Sequence, residues 1–201
     1  SNLKSSTPEE AQRVSSFAGA AYCSTHTLTS WKCNHCERIG AGIQVKHIFE
    51  DLFTGGRGFL ALDEAKKQII VSFRGSYNIQ NWVGNARLLQ SQYLVESGGT
   101  DIYIHTGFKD GINALLPKFK NEFDTLLKEH GDFKVIVTGH SLGGAMATLA
   151  SIELKKAFGL NWDRIELFTY GEPRVGNLAF AEWFNSQTLT VSRVVNDRDI
   201  V

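Results

Sequence analysis

The sequence predicts an α/β fold: one domain over residues 1–201, with a mostly parallel central sheet flanked by helices. Three observations lead there. Strand-like and helix-like stretches alternate through the second half of the chain, the pattern of a sheet covered by helices. The stretch "FKVIVTG" (133–139) is short, apolar and β-branched, as strands buried on both faces are. A chain of 201 residues, 42% hydrophobic and 21% charged, has the size and composition of one ordinary globular domain.

The elements follow in order. "STPEE" (6–10) starts a helix: Thr7 caps, Pro8 takes the first position and Glu10 completes a capping box. Val14, Phe17, Ala18 and Ala21 keep helical spacing and carry it to about Cys23. "GIQVKHIFE" (42–50), "GFLALD" (58–63) and "KQIIVSFRG" (67–75) read as strands, the last two joined by a short hairpin turn. From Gly107 the pattern turns helical, with Leu115, Leu116, Phe119, Phe123, Leu126 and Leu127 on one stripe. Pro117 should kink that helix near its start, and Gly131 should end it in a left-handed stop. After strand 133–139 comes a helix, "LGGAMATLASIELKKAF" (142–158), stopped at Gly159. "RIELFTYG" (164–171) and "VSRVVN" (191–196) are two more strands, with a helix around "NLAFAEWFNS" (177–186) between them. No domain boundary and no internal repeat is evident.

Charge excludes some classes of function. With 21 basic and 21 acidic side chains the formal net charge is zero, so nothing points to nucleic acid. No apolar run has the length of a transmembrane segment. The N-terminus is polar and lacks a signal-peptide pattern, so a secreted protein would be met here in processed form.

Cysteines number three. Cys33 and Cys36 form a C-x-x-C that could be a redox pair, half a metal site or a local disulfide. No thioredoxin-like unit surrounds the pair and no second Cys/His pair has zinc spacing, which favours a structural Cys33–Cys36 disulfide in an oxidising compartment. His35, inside the loop, reads as incidental, and Cys23 is left over.

The most informative stretch is "VTGHSLGG" (137–144). Gly139-His140-Ser141-Leu142-Gly143 fits G-x-S-x-G between a predicted strand and a predicted helix, the context that motif needs. Ser141 would stand at the apex of a sharp turn. The amides opening the next helix, beginning with Leu142, would face the place where negative charge develops. His140 is adjacent to Ser141, but neighbouring side chains on such a turn point apart, so it reads as a packing or hydrogen-bonding residue and not as the base.

"VTGHSLGGA" with "FRGS" and "HTGF" upstream, and "TYGEPRVGN" and "VVNDRDIV" downstream, resembles the filamentous-fungal class 3 lipases, a group of α/β-hydrolase enzymes that includes feruloyl esterases. The resemblance runs along essentially the whole chain. It implies an α/β-hydrolase fold and a secreted carboxylic-ester hydrolase acting through an acyl-serine, without cofactor or metal, on a lipid or ester substrate at an oil–water interface. It implies Ser141 as nucleophile and Ser76 as the oxyanion-hole partner of Leu142. It implies Asp199 as the acid of the triad; Asp197 could compete, and without the resemblance Asp101, Asp132 and Asp163 are nearly as plausible. Ile79, Trp82, Val83 and Ala86 have i, i+3, i+4, i+7 spacing, and the resemblance makes that stripe a lid rather than a surface helix fixed on the core. "AYC" (21–23) and "WKCNHCE" (31–37) match the family's disulfides, with Cys23 paired to a C-terminal cysteine. His105 matches a family histidine near the site and reads as structural support.

The chain order for this fold is Ser, then Asp or Glu, then His. All six histidines (His26, His35, His47, His105, His130 and His140) precede Ser141. The expectation is therefore a hydrolase cut just after its acid, with the histidine and the partner of Cys23 beyond Val201. The expected function is a secreted triacylglycerol lipase. A feruloyl esterase is the close alternative. A non-catalytic pseudo-enzyme or binding protein is the alternative if the 201 residues are the whole chain.

Overall fold

The computed structural model describes residues 6–75, 90–93 and 101–195. Its core is a six-stranded sheet in the order β1-β2-β3-β6-β7-β8. Strands β1 (Ile43–Asp51), β2 (Gly56–Asp63) and β3 (Gln68–Phe73) form an antiparallel meander. From β3 onward the pairing is parallel through β6 (Lys134–His140), β7 (Ile165–Tyr170) and β8 (Thr190–Val194). Two short strands, β4 (Gln90–Gln92) and β5 (Tyr103–His105), pair apart from this sheet; the sequence pattern gave no sign of either.

Both faces of the sheet are covered, which is why β3 carries Ile69-Ile70-Val71 and β6 carries Val135-Ile136-Val137 as continuous apolar runs. Ile69, Val71 and Phe73 of β3 and Val135 and Val137 of β6 pack into one cluster. It also takes the apolar stripes of α4 (Thr106–Glu129), α5 (Leu142–Phe158) and α6 (Leu178–Ser186). The alternate residues Ile70 and Ile136 join Phe59, Ala61 and Phe168 on the other face, under α1 (Pro8–Ala20). This is the period-two division a strand imposes on its side chains.

Several expected details are corrected. Helix α1 stops at Ala20, and two short helices follow: α2 (Thr25–Thr29) and α3 (Asn34–Ile39). Only half of the capping box forms. Thr7 Oγ1 accepts from the Glu10 amide at 3.2 Å, while the Glu10 carboxylate is taken by Arg13 and Gln68, fixing the helix to the start of β3. Helix α4 continues through Pro117 to Glu129 and is closed by the His130 amide bonding to Leu126, so Gly131 is not the left-handed stop; Gly159, at φ +61°, is one for α5.

Cys33 and Cys36 are disulfide-bonded at the start of α3, and Cys23 is a free thiol. His35 is more than incidental. A Cβ on Gly19 would lie 2.4 Å from its ring, so the glycine is what lets α1 and α3 approach so closely.

Candidate active site

The site is built where β6 turns into α5. Ser141 occupies that turn with φ +55° and ψ −126°, a conformation that costs a non-glycine residue about 1–3 kcal/mol. The surroundings hold it there. Its amide donates to the Tyr170 carbonyl at 2.9 Å, and its own carbonyl accepts from Gly144 at 2.8 Å and Ala145 at 3.4 Å. A serine at a helix start ordinarily spends its hydroxyl capping the first turn. Ser141 makes no such cap hydrogen bond, so its hydroxyl is kept out of the helix's own bonding. Leu142 and Gly143 then offer first-turn amides, for which an α-helix has no internal acceptor.

The flanking glycines are required by close approach. A Cβ on Gly139 would sit 2.1 Å from the Gly143 carbonyl oxygen, and one on Gly143 would sit 2.3 Å from that of Phe73. Backbone cannot yield to such contacts without unwinding the turn.

Around this turn the structure assembles residues that the motif did not reveal. The Tyr22 hydroxyl accepts from the Gly75 amide at 3.1 Å and lies 3.0 Å from His140 Nδ1. Both bonds are satisfied when Tyr22 donates its own proton to Nδ1. His140 is thus exposed and tied to Tyr22, in keeping with its reading as a residue of the turn. Gly75 is pressed between them: a Cβ there would be 2.3 Å from the Tyr22 oxygen, 2.6 Å from the His140 carbonyl and 3.4 Å from Ser141 Cβ. The end of β3 is therefore clamped directly against the serine.

Glu172 is the second residue the sequence left unread. It is buried; Thr148 of α5 donates to one carboxylate oxygen and Thr169 of β7 donates to the other at 3.0 Å. Arg193 of β8 donates to the Glu172 carbonyl at 2.8 Å and stands 3.8 Å from its carboxylate. Burial pushes the Glu172 pKa up, opposed by the Thr148 bond, Arg193 and Thr169. These bonds tie the helix after the serine to β7 and to β8.

His105 caps α4, its Nδ1 accepting from the Gly107 amide at 3.1 Å, and burial lowers its pKa. That is a supporting role. Ser76, Ile79, Trp82, Val83, Ala86, Asp197 and Asp199 lie outside the described residues. No helix among the described residues is long and apolar enough to cross a membrane.

Known proteins share this fold. The family described as Lipase (class 3) matches residues 70–201. A lipase of Rhizomucor miehei is 31% identical across 99% of this chain and 55% of its own length. A protein of Fusarium solani named secreted mono- and diacylglycerol lipase 1 is 37% identical across 92% of this chain and 55% of its own. The chain thus spans about half the length of the curated relatives it matches. The crystal structure of a lipase from Rhizopus microsporus var. chinensis superposes with a TM-score of 0.88 at 31% identity, covering 100% of this chain and 71% of that one. With the family's signature over its larger part and relatives above 30% identity along nearly all of it, this chain, an α/β-hydrolase fold, belongs to the class 3 lipase family.

Proposed function

We propose that this chain carries the nucleophile of a secreted triacylglycerol lipase that cleaves carboxylic esters through an acyl-serine. The observation that carries the reading is Ser141: a buried serine held at positive φ, excluded from capping, at the mouth of a helix whose Leu142 and Gly143 amides have no acceptor within the helix. Strain of this kind persists only where the surroundings over-determine it, and it collects at functional sites.

In the proposed reaction, Ser141 Oγ attacks the ester carbonyl carbon and its proton passes to a histidine. The carbonyl oxygen becomes an oxyanion, met by the Leu142 amide and by Ser76; one such donor is worth about 3–4 kcal/mol of the barrier. The intermediate collapses, the histidine returns the proton to the departing alcohol, and water then releases the acid by the same steps in reverse. Asp199 orients the histidine. In the chain order of this fold that histidine follows the acid. Ile79, Trp82 and Val83 form the apolar face of a lid. Secretion is supported by the printed name of the Fusarium relative and by the bonded cysteine pair.

The test is the rate of ester hydrolysis by the full-length protein as substrate passes from dissolved monomers to droplets. A lipase with a lid gives a more-than-proportional rise, which Trp82→Ser reduces. Smooth hyperbolic kinetics through the solubility limit, with good turnover of hydroxycinnamate esters, would replace this reading with that of a feruloyl esterase.

A further inference from the structure

Two bulky apolar side chains stand next to one another fully in the open. Leu52 is 88% exposed and Phe53 101% exposed, at the tip of the β1–β2 hairpin. The tip's place in the sheet gives this meaning. Phe49, Gly58, Phe73 and Gly139 are successive partners in one row across β1, β2, β3 and β6. Strand β1 runs in the same direction as β3 and β6, because it is antiparallel to β2, which is antiparallel to β3. Two residues past this row, β6 reaches Ser141 and β1 reaches Asp51, whose partner is Gly56. Leu52 and Phe53 therefore project from the edge of the sheet at which the serine emerges. They are two to three strands to its side, about 10–14 Å at the usual strand spacing.

The turn that presents them is braced. Asp51 Oδ2 accepts from the Thr54 amide at 2.8 Å and from the Thr54 hydroxyl at 2.9 Å, and Lys118 stands 3.8 Å from the other oxygen. Arg74, at the end of β3 beside Gly75, donates to the Gly55 carbonyl at 3.0 Å. The tip is thus joined by a side chain to the segment clamped against Ser141.

We infer that Leu52 and Phe53 are an anchor that inserts into an aggregated lipid surface and sets the Ser141 edge of the sheet against it. The occupant follows from size and shape. A large apolar side chain contributes on the order of 150–250 Å², so the pair offers well under the roughly 800 Å² per partner of a stable protein interface. A second copy or a protein partner would have too little to grip on a convex two-residue tip. A fluid apolar phase needs no shape match and rewards insertion of each side chain by its area. The inference rests on the lipase reading for its biological sense, though not for its test.

That test separates binding from turnover. In the full-length protein carrying Ser141→Ala, the partition onto triolein droplets is measured with and without Leu52→Ser plus Phe53→Ser. A fall of about ten-fold or more is expected, with Phe53→Trp retaining the partition. In the chain with Ser141 intact, the same double variant should hydrolyse dissolved p-nitrophenyl butyrate at an unchanged rate and melt at an unchanged temperature. Unchanged partition in the double variant overturns the inference. So does a concentration-dependent dimer, seen in sedimentation, that the double variant abolishes. Failure of the parent protein to hydrolyse triolein would sink the lipase reading instead, and leaves the droplet-binding comparison valid.

Discussion

The Tyr22 hydroxyl accepts the amide proton of Gly75 across 53 residues of sequence, at 3.1 Å. The same oxygen lies 3.0 Å from His140 Nδ1, so a residue just past α1 sets the distance between the end of β3 and the serine turn. Tyr22→Phe keeps the ring and removes the acceptor. One hydrogen bond of this kind is worth about 1 kcal/mol. The expected result is about a five-fold fall in kcat on a dissolved ester, with KM little changed. A fall in melting temperature with kcat and KM both preserved would make Tyr22 a packing residue only.

Gly139→Ala and Gly143→Ala each place a methyl group within 2.1–2.3 Å of a backbone oxygen. Overpacking against backbone should cost about 3 kcal/mol, or roughly 10 °C in melting temperature for a chain of this size. Thermal unfolding followed by circular dichroism measures it.

The strain at Ser141 has its own signature. Glycine adopts φ +55° freely, whereas alanine does not. Ser141→Gly should be about 1 kcal/mol more stable than Ser141→Ala, the relief of strain outweighing glycine's extra entropy in the unfolded chain. Equal stabilities in denaturant titration would mean that the turn is not strained.

Glu172 gives a pH dependence of definite sign. Its pKa is raised in the fold, chiefly by burial. Its contribution is therefore complete below the ordinary carboxylate range and is lost as pH rises through the raised value. Glu172→Gln cannot ionise, so its melting temperature should gain on the parent's as pH climbs from about 4.5. Parallel curves of melting temperature against pH would contradict this.

The serine turn was legible because everything it needs is local: two glycines, a β-branched strand before and a helix after. The sheet was legible because β3 and β6 carry unbroken apolar runs. Tyr22 was not, because its partner His140 is 118 residues away and no spacing rule links them. Glu172 was not, because nothing in "TYGEPR" tells a carboxylate buried between two threonines from one in solvent. Helices α2 and α3, at 5 and 6 residues, are shorter than two helical turns and leave no periodicity to read. Gly131 misled because a glycine after a helix often ends it, yet the His130 amide had already closed the last turn.

Ser141 stands as the nucleophile in everything proposed above. The most direct measurement is peptide mapping by mass spectrometry after treatment of the full-length protein with an alkyl phosphonate ester. One adduct per chain is expected, on the peptide containing Ser141, with ester hydrolysis lost in proportion and neither labelling nor turnover in a folded Ser141→Ala variant. An adduct on any other residue, or ester hydrolysis that survives Ser141→Ala, would contradict it.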